Sequence, residues 1–225
     1  MKTCVIVPTL NEEEVIKKLL TNIPNPVANK IVVVDGYSSD STVDIVKEFQ
    51  KKLDIDIIFQ EGKGKGMAFR SFINRFDLDD YDNYVMLDAD YTYDPAEMKK
   101  MLFPLFNGID VVMGDRLSNN HLNGSMTFTN YMGNKFLSFI ASFLYTKPTK
   151  DVCTGYWAFK RKFLKNVDIK AKGFDLEVNL FSEAVKKGFR IQAIPINYGK
   201  RLGTKKLKVS HGFSILWRLL KERFL

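Results

Sequence analysis

Short apolar runs alternate with stretches of helical period through the first half of the chain. Residues 3–7, 30–35, 55–59, 84–87 and 110–113 are apolar or β-branched and bounded by Gly, Pro or Asp, the mark of buried strands. Between them, 15–20, 42–53, 67–76 and 95–106 place apolar residues at helical spacing. Asn11 and Glu14 stand at capping-box spacing ahead of the first helix, and Pro95 lies near the start of the fourth. Strands alternating with helices predict an α/β fold: a mostly parallel, Rossmann-like sheet covered by helices on both faces.

Past Gly114 the rhythm changes. Residues 115–124 have no period and read as a loop. Residues 131–145 form a Phe-rich helix, read as a core helix with an interfacial role as the alternative. A strand at 155–160, a helix at 174–187 and a strand at 191–198 follow. Residues 199–210 are basic and turn-rich, and 213–225 are helical. With 225 residues and no linker or repeat, the chain reads as a single domain, 1–225, divided into 1–114, 115–210 and a terminal amphipathic helix, 211–225.

The chemistry begins at Asp88-Ala89-Asp90, where the fourth apolar run ends. Open α/β sheets bind ligands beyond the carboxyl ends of their strands. Two carboxylates one residue apart can converge there on one hard cation, whose other ligands are often phosphate oxygens. Either acid can equally serve as a turn or cap residue. Asp35 closes the second strand, where an acid can accept hydrogen bonds from a ribose or base, or simply form a turn. Gly62-Lys63-Gly64-Lys65-Gly66 opens a helix without the spacing of a P-loop; a solvated loop and a part in holding a nucleotide are both open to it. Arg116 can neutralise phosphate or pair with Asp115, and Glu177 stands at a helix start, where acids are favoured anyway.

Taken in order, Val7-Pro8-Thr9-Leu10-Asn11-Glu12, Val34-Asp35-Gly36, Gly64-Lys65-Gly66, Leu87-Asp88-Ala89-Asp90, Gly114-Asp115-Arg116, Asp151 with Thr154-Gly155, and Phe174-Asp175-Leu176-Glu177 resemble the family 2 glycosyltransferases of GT-A fold. Within them the set is most similar to the polyprenyl-phosphate (dolichyl-phosphate) sugar synthases. The resemblance implies a nucleotide-sugar-binding half, 1–114, and an acceptor half, 115–210. Pro8, Thr9, Asn11, Glu12, Asp35, Lys65, Asp88 and Ala89 would line the nucleotide-sugar pocket. Asp88 and Asp90 would hold Mg²⁺ or Mn²⁺, and Asp90, Arg116 and Glu177 would serve catalysis. Arg116, Arg201, Lys205 and Lys206 would face the acceptor phosphate. Two departures bear on the donor: Thr92 stands where dolichyl-phosphate mannose synthases often have Gln, and Thr127, Thr129, Asn130 and Asn134 replace their Arg- and Ser-bearing helix. UDP-N-acetylglucosamine, UDP-glucose and GDP-mannose all stay open. So does a lipid-linked oligosaccharide or other glycan as acceptor.

Charge adds a partner. Of a net charge of +8, +7 falls in residues 200–225, which carry eight basic residues and one acid, Glu222. A basic stretch beside an amphipathic helix suits an anionic membrane surface. On a helical wheel Phe213, Leu216, Trp217, Leu220 and Phe224 share one stripe, which predicts a helix lying in the interface or packed on the core. Nucleic acid is not expected, because the chain lacks the fold signatures of such modules. Cys4 and Cys153 have no metal-ligand spacing and fit a reduced compartment, and His121 and His211 read as loop residues. No apolar window is long enough to span a bilayer, and the N-terminus has no signal-peptide pattern. The expectation is a cytoplasmic, peripheral membrane enzyme.

Overall fold

The computed structural model describes residues 1–118, 125–203 and 211–225. Seven strands form one sheet: β1 (Thr3–Thr9), β2 (Lys30–Asp35), β3 (Ile55–Phe59), β4 (Asn83–Met86), β5 (Val111–Asp115), β6 (Trp157–Lys160) and β7 (Ile191–Pro195). Their order is β3-β2-β1-β4-β6-β5-β7. All seven fall where the apolar runs predict. The sheet is parallel except for β6, which runs antiparallel to both β4 and β5. The flanking helices are α1 (Ile16–Asn22), α2 (Thr42–Phe49), α3 (Lys65–Arg75), α4 (Met98–Phe106), α5 (Phe128–Tyr145), α6 (Arg161–Leu164), α7 (Leu176–Lys186) and α8 (His211–Phe224).

The central strands β1, β2 and β4 are apolar on both faces because both faces are covered. Cys4, Ile6, Val32 and Val34 point into one core with Phe69, Phe72, Trp157 and Phe159; Val5, Val7, Val33 and Val85 point into the other with Leu19, Met101 and Tyr156. The chain leaves β1 in one direction, through β2 to β3, and returns on the other side at β4. The carboxyl ends of β1 and β4 therefore flank the switch point of the sheet, where such folds leave a crevice.

The structure differs from the sequence reading at four points. Asn11 does not cap α1, which begins at Ile16 with no side-chain cap. Asn11 instead takes a left-handed conformation, φ 48°, and its Oδ1 accepts from the backbone N–H of Ser39 at 2.8 Å. The short helix α6 lies in a stretch with no helical period of its own. His211 is the first residue of α8, not a loop residue, and its ring lies 4.8 Å from that of Phe174. The fourth concerns α5, which is a core helix on one side only: Leu137, Ser138, Ala141 and Tyr145 are buried, while Phe128, Met132, Phe136, Phe139 and Phe143 form an exposed stripe.

The terminal helix shows the same two-sidedness. It docks on the body through Ile215, Leu219 and Glu222, and the Tyr145 hydroxyl donates to Leu219 O at 3.2 Å. Arg218 donates to Asp175 at 2.8 Å, and Lys186 to Glu222 at 3.0 Å. The stripe named from the sequence faces outward at Phe213, Trp217 and Phe224, with Leu216 and Leu220 half-buried at its edge.

Candidate active site

Three non-glycine residues with positive φ follow strands at the same sheet edge: Asn11 after β1, Tyr37 (62°) after β2 and Tyr91 (58°) after β4. Each such residue costs on the order of 1 kcal/mol and persists only where its surroundings hold it. The turn after β4 carries Asp88 and Asp90. Asp90 is buried; its Oδ1 accepts from the Thr92 N–H at 3.0 Å and the Thr92 hydroxyl at 2.6 Å, and its Oδ2 pairs with Arg201. Asp88 faces a cavity of 510 Å³, with its carboxylate set against Gly155 so closely that a β-carbon there would collide with it. Gly155 is held in turn by Tyr93, whose hydroxyl accepts the Gly155 N–H at 2.6 Å.

The glycine run before α3 has a definite purpose. A β-carbon on Gly64 or Gly66 would sit 2.5 Å from the carbonyl oxygen of Lys172 or Ala171. Their absence lets the start of α3 lie against 171–173, with Gly66 N–H donating to Gly173 O at 3.1 Å. Lys65, between the two glycines, is thereby directed inward. Its Nζ is 2.5 Å from Glu177 Oε1 and also pairs with Asp88. Burial works against this ammonium, but Asp88 and Glu177 more than reverse that and hold its pKa above the ordinary lysine value. Burial raises the Glu177 carboxyl, and Lys65 opposes the shift only in part.

Arg116 does not pair with Asp115. Asp115 is spent on the backbone N–H groups of Leu117 and Ser118, both at 3.0 Å. Arg116 is gripped by Asp151, with Nε–Oδ2 at 2.6 Å and Nη2–Oδ1 at 2.7 Å, and its own backbone N–H donates to the same carboxylate at 3.1 Å. The Tyr198 ring lies 5.2 Å from the guanidinium. Burial works against this charge, and Asp151 restores it, so the guanidinium stays protonated.

The cavity thus gathers Lys65, Asp88, Arg116, Glu177 and Arg201 from the expected residues. Thr127, Thr129, Asn130 and Asn134 of the α5 end also line it. Pro8, Thr9, Asn11, Glu12 and Asp35 assemble separately, at the carboxyl ends of β1 and β2, where Thr9 pairs in register with Asp35. Both Asp35 oxygens hold Ser38, through its N–H at 2.8 Å and its hydroxyl at 2.6 Å. Ala89 is buried in the core between the two acids. Lys205, Lys206 and His121 lie outside the described residues. Tyr93, and the grip of Asp151 on Arg116, were not foreseen. An acid embedded in the mostly apolar stretch 151–159 was the available signal for Asp151.

A Rossmann-like sheet with paired acids after the strand at its switch point is the GT-A arrangement. The chain belongs to glycosyl transferase family 2, whose model matches residues 4–168. It is 31% identical over 198 residues to glycosyltransferase AglJ of Haloferax volcanii, covering 88% of this chain and 63% of that protein, so it spans a little under two thirds of that relative. It is 29% identical to UDP-N-acetylglucosamine–dolichyl-phosphate N-acetylglucosaminyltransferase of Methanococcus voltae, covering 96% of this chain and 93% of the relative. Among solved structures it is similar to glucosyl-3-phosphoglycerate synthase of Mycobacterium tuberculosis in complex with Mn²⁺, UDP and phosphoglyceric acid. The TM-score is 0.77 at 17% identity, over 100% of this chain and 79% of that one.

Proposed function

We propose that the protein is an inverting, metal-dependent glycosyltransferase that moves a sugar from a nucleotide sugar to the phosphate of a polyprenyl (dolichyl) carrier. One observation carries this reading. The cavity lining combines an ionic set, Asp88, Lys65, Glu177, Arg116 and Arg201, with an apolar one, Phe136 and Leu137 of α5 and Ile215 and Leu216 of α8. That combination suits an acceptor with a charged head and a hydrocarbon tail. The name of the Methanococcus voltae relative carries the same pair of substrates.

Asp88 and Asp90 would hold the cation. They offer hard oxygen ligands of the kind Mg²⁺ and Mn²⁺ take. No group of three or more His, Cys, Asp or Glu converges among the described residues, so the remaining ligands fall to the donor diphosphate and water. Bound there, the cation supplies charge neutralisation to the departing diphosphate. In the reaction an acceptor phosphate oxygen attacks the sugar C1 from the face opposite the leaving group. The C1–O bond to the diphosphate breaks, and its electron pair leaves with the nucleotide. The acceptor oxygen is already ionised, so no protein base has to take a proton. Arg116, clamped by Asp151, orients a phosphate through its outer edge. Lys65 fixes Glu177 and Asp88 relative to each other.

The outward stripes of α5 and α8 would rest on the membrane, with the basic segment before α8 drawn to anionic lipid. No helix among the described residues is long and apolar enough to cross a bilayer. The face would be the cytoplasmic one, consistent with two free cysteines and a nucleotide-sugar donor.

Purified protein, Mn²⁺ or Mg²⁺, dolichyl phosphate and a panel of labelled UDP- and GDP-sugars test the proposal. Label should pass into the organic phase from one donor. Folded protein that transfers label from none of them overturns the reading, and transfer only to a glycan acceptor moves it to that acceptor class. Asp90→Asn should abolish turnover while leaving the circular-dichroism spectrum unchanged.

A further inference from the structure

Each acid of the proposed metal pair already holds a cation of the protein itself: Lys65 sits on Asp88, and Arg201 on Asp90. The two cations are held differently. Lys65 belongs to the first turn of α3, is bound by two carboxylates, and is only 10% exposed. Arg201 comes from the irregular segment after β7, and its side chain is 28% exposed. Among the described residues three carboxylates, Asp88, Asp90 and Glu177, stand against two cations, Lys65 and Arg201, while Arg116 and Asp151 pair with each other. Within that set the carboxylates exceed the cations by one, a balance of the wrong sign for a phosphate ligand. One dication reverses that sign. It also needs the Asp90 oxygen that Arg201 occupies.

We propose that Arg201 stands in for the divalent cation: the two compete for Asp90, and metal loading transfers the guanidinium to a phosphate group in the cavity. The inference rests on the reading of Asp88 and Asp90 as metal holders. Of the two cations, Arg201 is the one able to yield, because Lys65 is locked by the glycine contacts of α3 with 171–173. The planar fork that leaves Asp90 is suited to phosphate oxygens. Loading would thus change one charge cluster twice, adding a dication and turning an internally spent arginine toward the ligand. By reciprocity, phosphate ligands that capture Arg201 must tighten metal binding by the same factor.

The test reads metal affinity, not turnover. Mn²⁺ binding is measured by electron paramagnetic resonance on the intact protein, with and without UDP, in wild type, Arg201→Met, Arg201→Lys and Lys18→Met. Lys18 is the control for simple charge removal: it lies over the Tyr91 ring at 4.3 Å, beside the same turn. Without UDP, Arg201→Met should bind Mn²⁺ about tenfold more tightly than wild type, within the usual range for coupled sites. Lys18→Met should stay within about twofold, because an exposed charge is screened. The tightening of Mn²⁺ by UDP should shrink in Arg201→Met and survive in Arg201→Lys. Equal or weaker Mn²⁺ binding in Arg201→Met, or an equal gain in Lys18→Met, overturns the exchange. Absence of Mn²⁺ binding in every form, with or without UDP, removes the metal reading itself. Failure to find a sugar donor would leave the exchange standing.

Discussion

The Tyr93 hydroxyl accepts the backbone N–H of Gly155 at 2.6 Å, and the same glycine lies against the Asp88 carboxylate. A buried tyrosine thus fixes the surface on which Asp88, one of the proposed metal holders, rests. Gly155→Ala should displace Asp88. A shift of about 1 Å at a reacting centre costs on the order of 10²-fold in rate. kcat/KM should fall by about that much and Mn²⁺ affinity should fall with it, while urea denaturation shows a loss of about 1–3 kcal/mol from overpacking.

Asp151 is completely buried and makes three hydrogen bonds to Arg116. Asp151→Ala leaves a buried guanidinium without its partner, which typically costs about 3–5 kcal/mol. Chemical denaturation should show that loss. Asp151→Asn keeps an acceptor and should lose less, with a raised KM for the acceptor because Arg116 is no longer clamped.

Phe139, Phe143 and Trp217 are 69%, 76% and 62% exposed, so they contribute little to the core. Phe139→Glu, Phe143→Glu and Trp217→Glu should each leave stability within about 0.5 kcal/mol. Combined, they should abolish co-sedimentation with anionic phospholipid vesicles. Activity on a short, water-soluble acceptor phosphate should survive, so a parallel loss there would place these rings in the chemistry instead.

Glu183 gives the protein an acid-sensitive contact. Burial raises its carboxyl, but Lys187 at 2.7 Å and the Asp168 N–H at 3.0 Å more than reverse that, leaving its pKa below the ordinary glutamate value. A depressed carboxylate favours the folded state above the unfolded pKa, about 4.3, and that contribution fades as pH falls through the lower folded value. Glu183→Gln should therefore lower stability at pH 7 and narrow its gap to wild type toward pH 3, followed by urea melts across the range.

The central strands were legible because each is buried on both faces and reads as a nearly uninterrupted apolar run, and the edge strands β3 and β7 because one polar residue alone, Asp56 or Gln192, interrupts theirs. The direction of β6 was not, since apolar runs look alike in either orientation and its partners lie far away in sequence. The docking face of α8 was not legible for a different reason. Its core face contains Glu222, an acid neutralised by Lys186 and Arg218, so the aromatic stripe outshone it on a helical wheel. In the site, Asp88 and Asp90 announce themselves by spacing. The bridge from Lys65 to Glu177 spans 112 positions, and no local pattern encodes it.

The left-handed residues at the sheet edge, Asn11, Tyr37 and Tyr91, set stability and shape against each other. Glycine at any of them would relieve the backbone and remove a side chain in use: the Ser39 acceptor of Asn11, the stack of Tyr37 on Phe59, the seat of Lys18 on Tyr91. A search for hardier variants should find glycine attractive at these three places, and each gain in robustness should blur the mouth of the crevice. The rim of this molecule is drawn by residues that the fold would rather not contain.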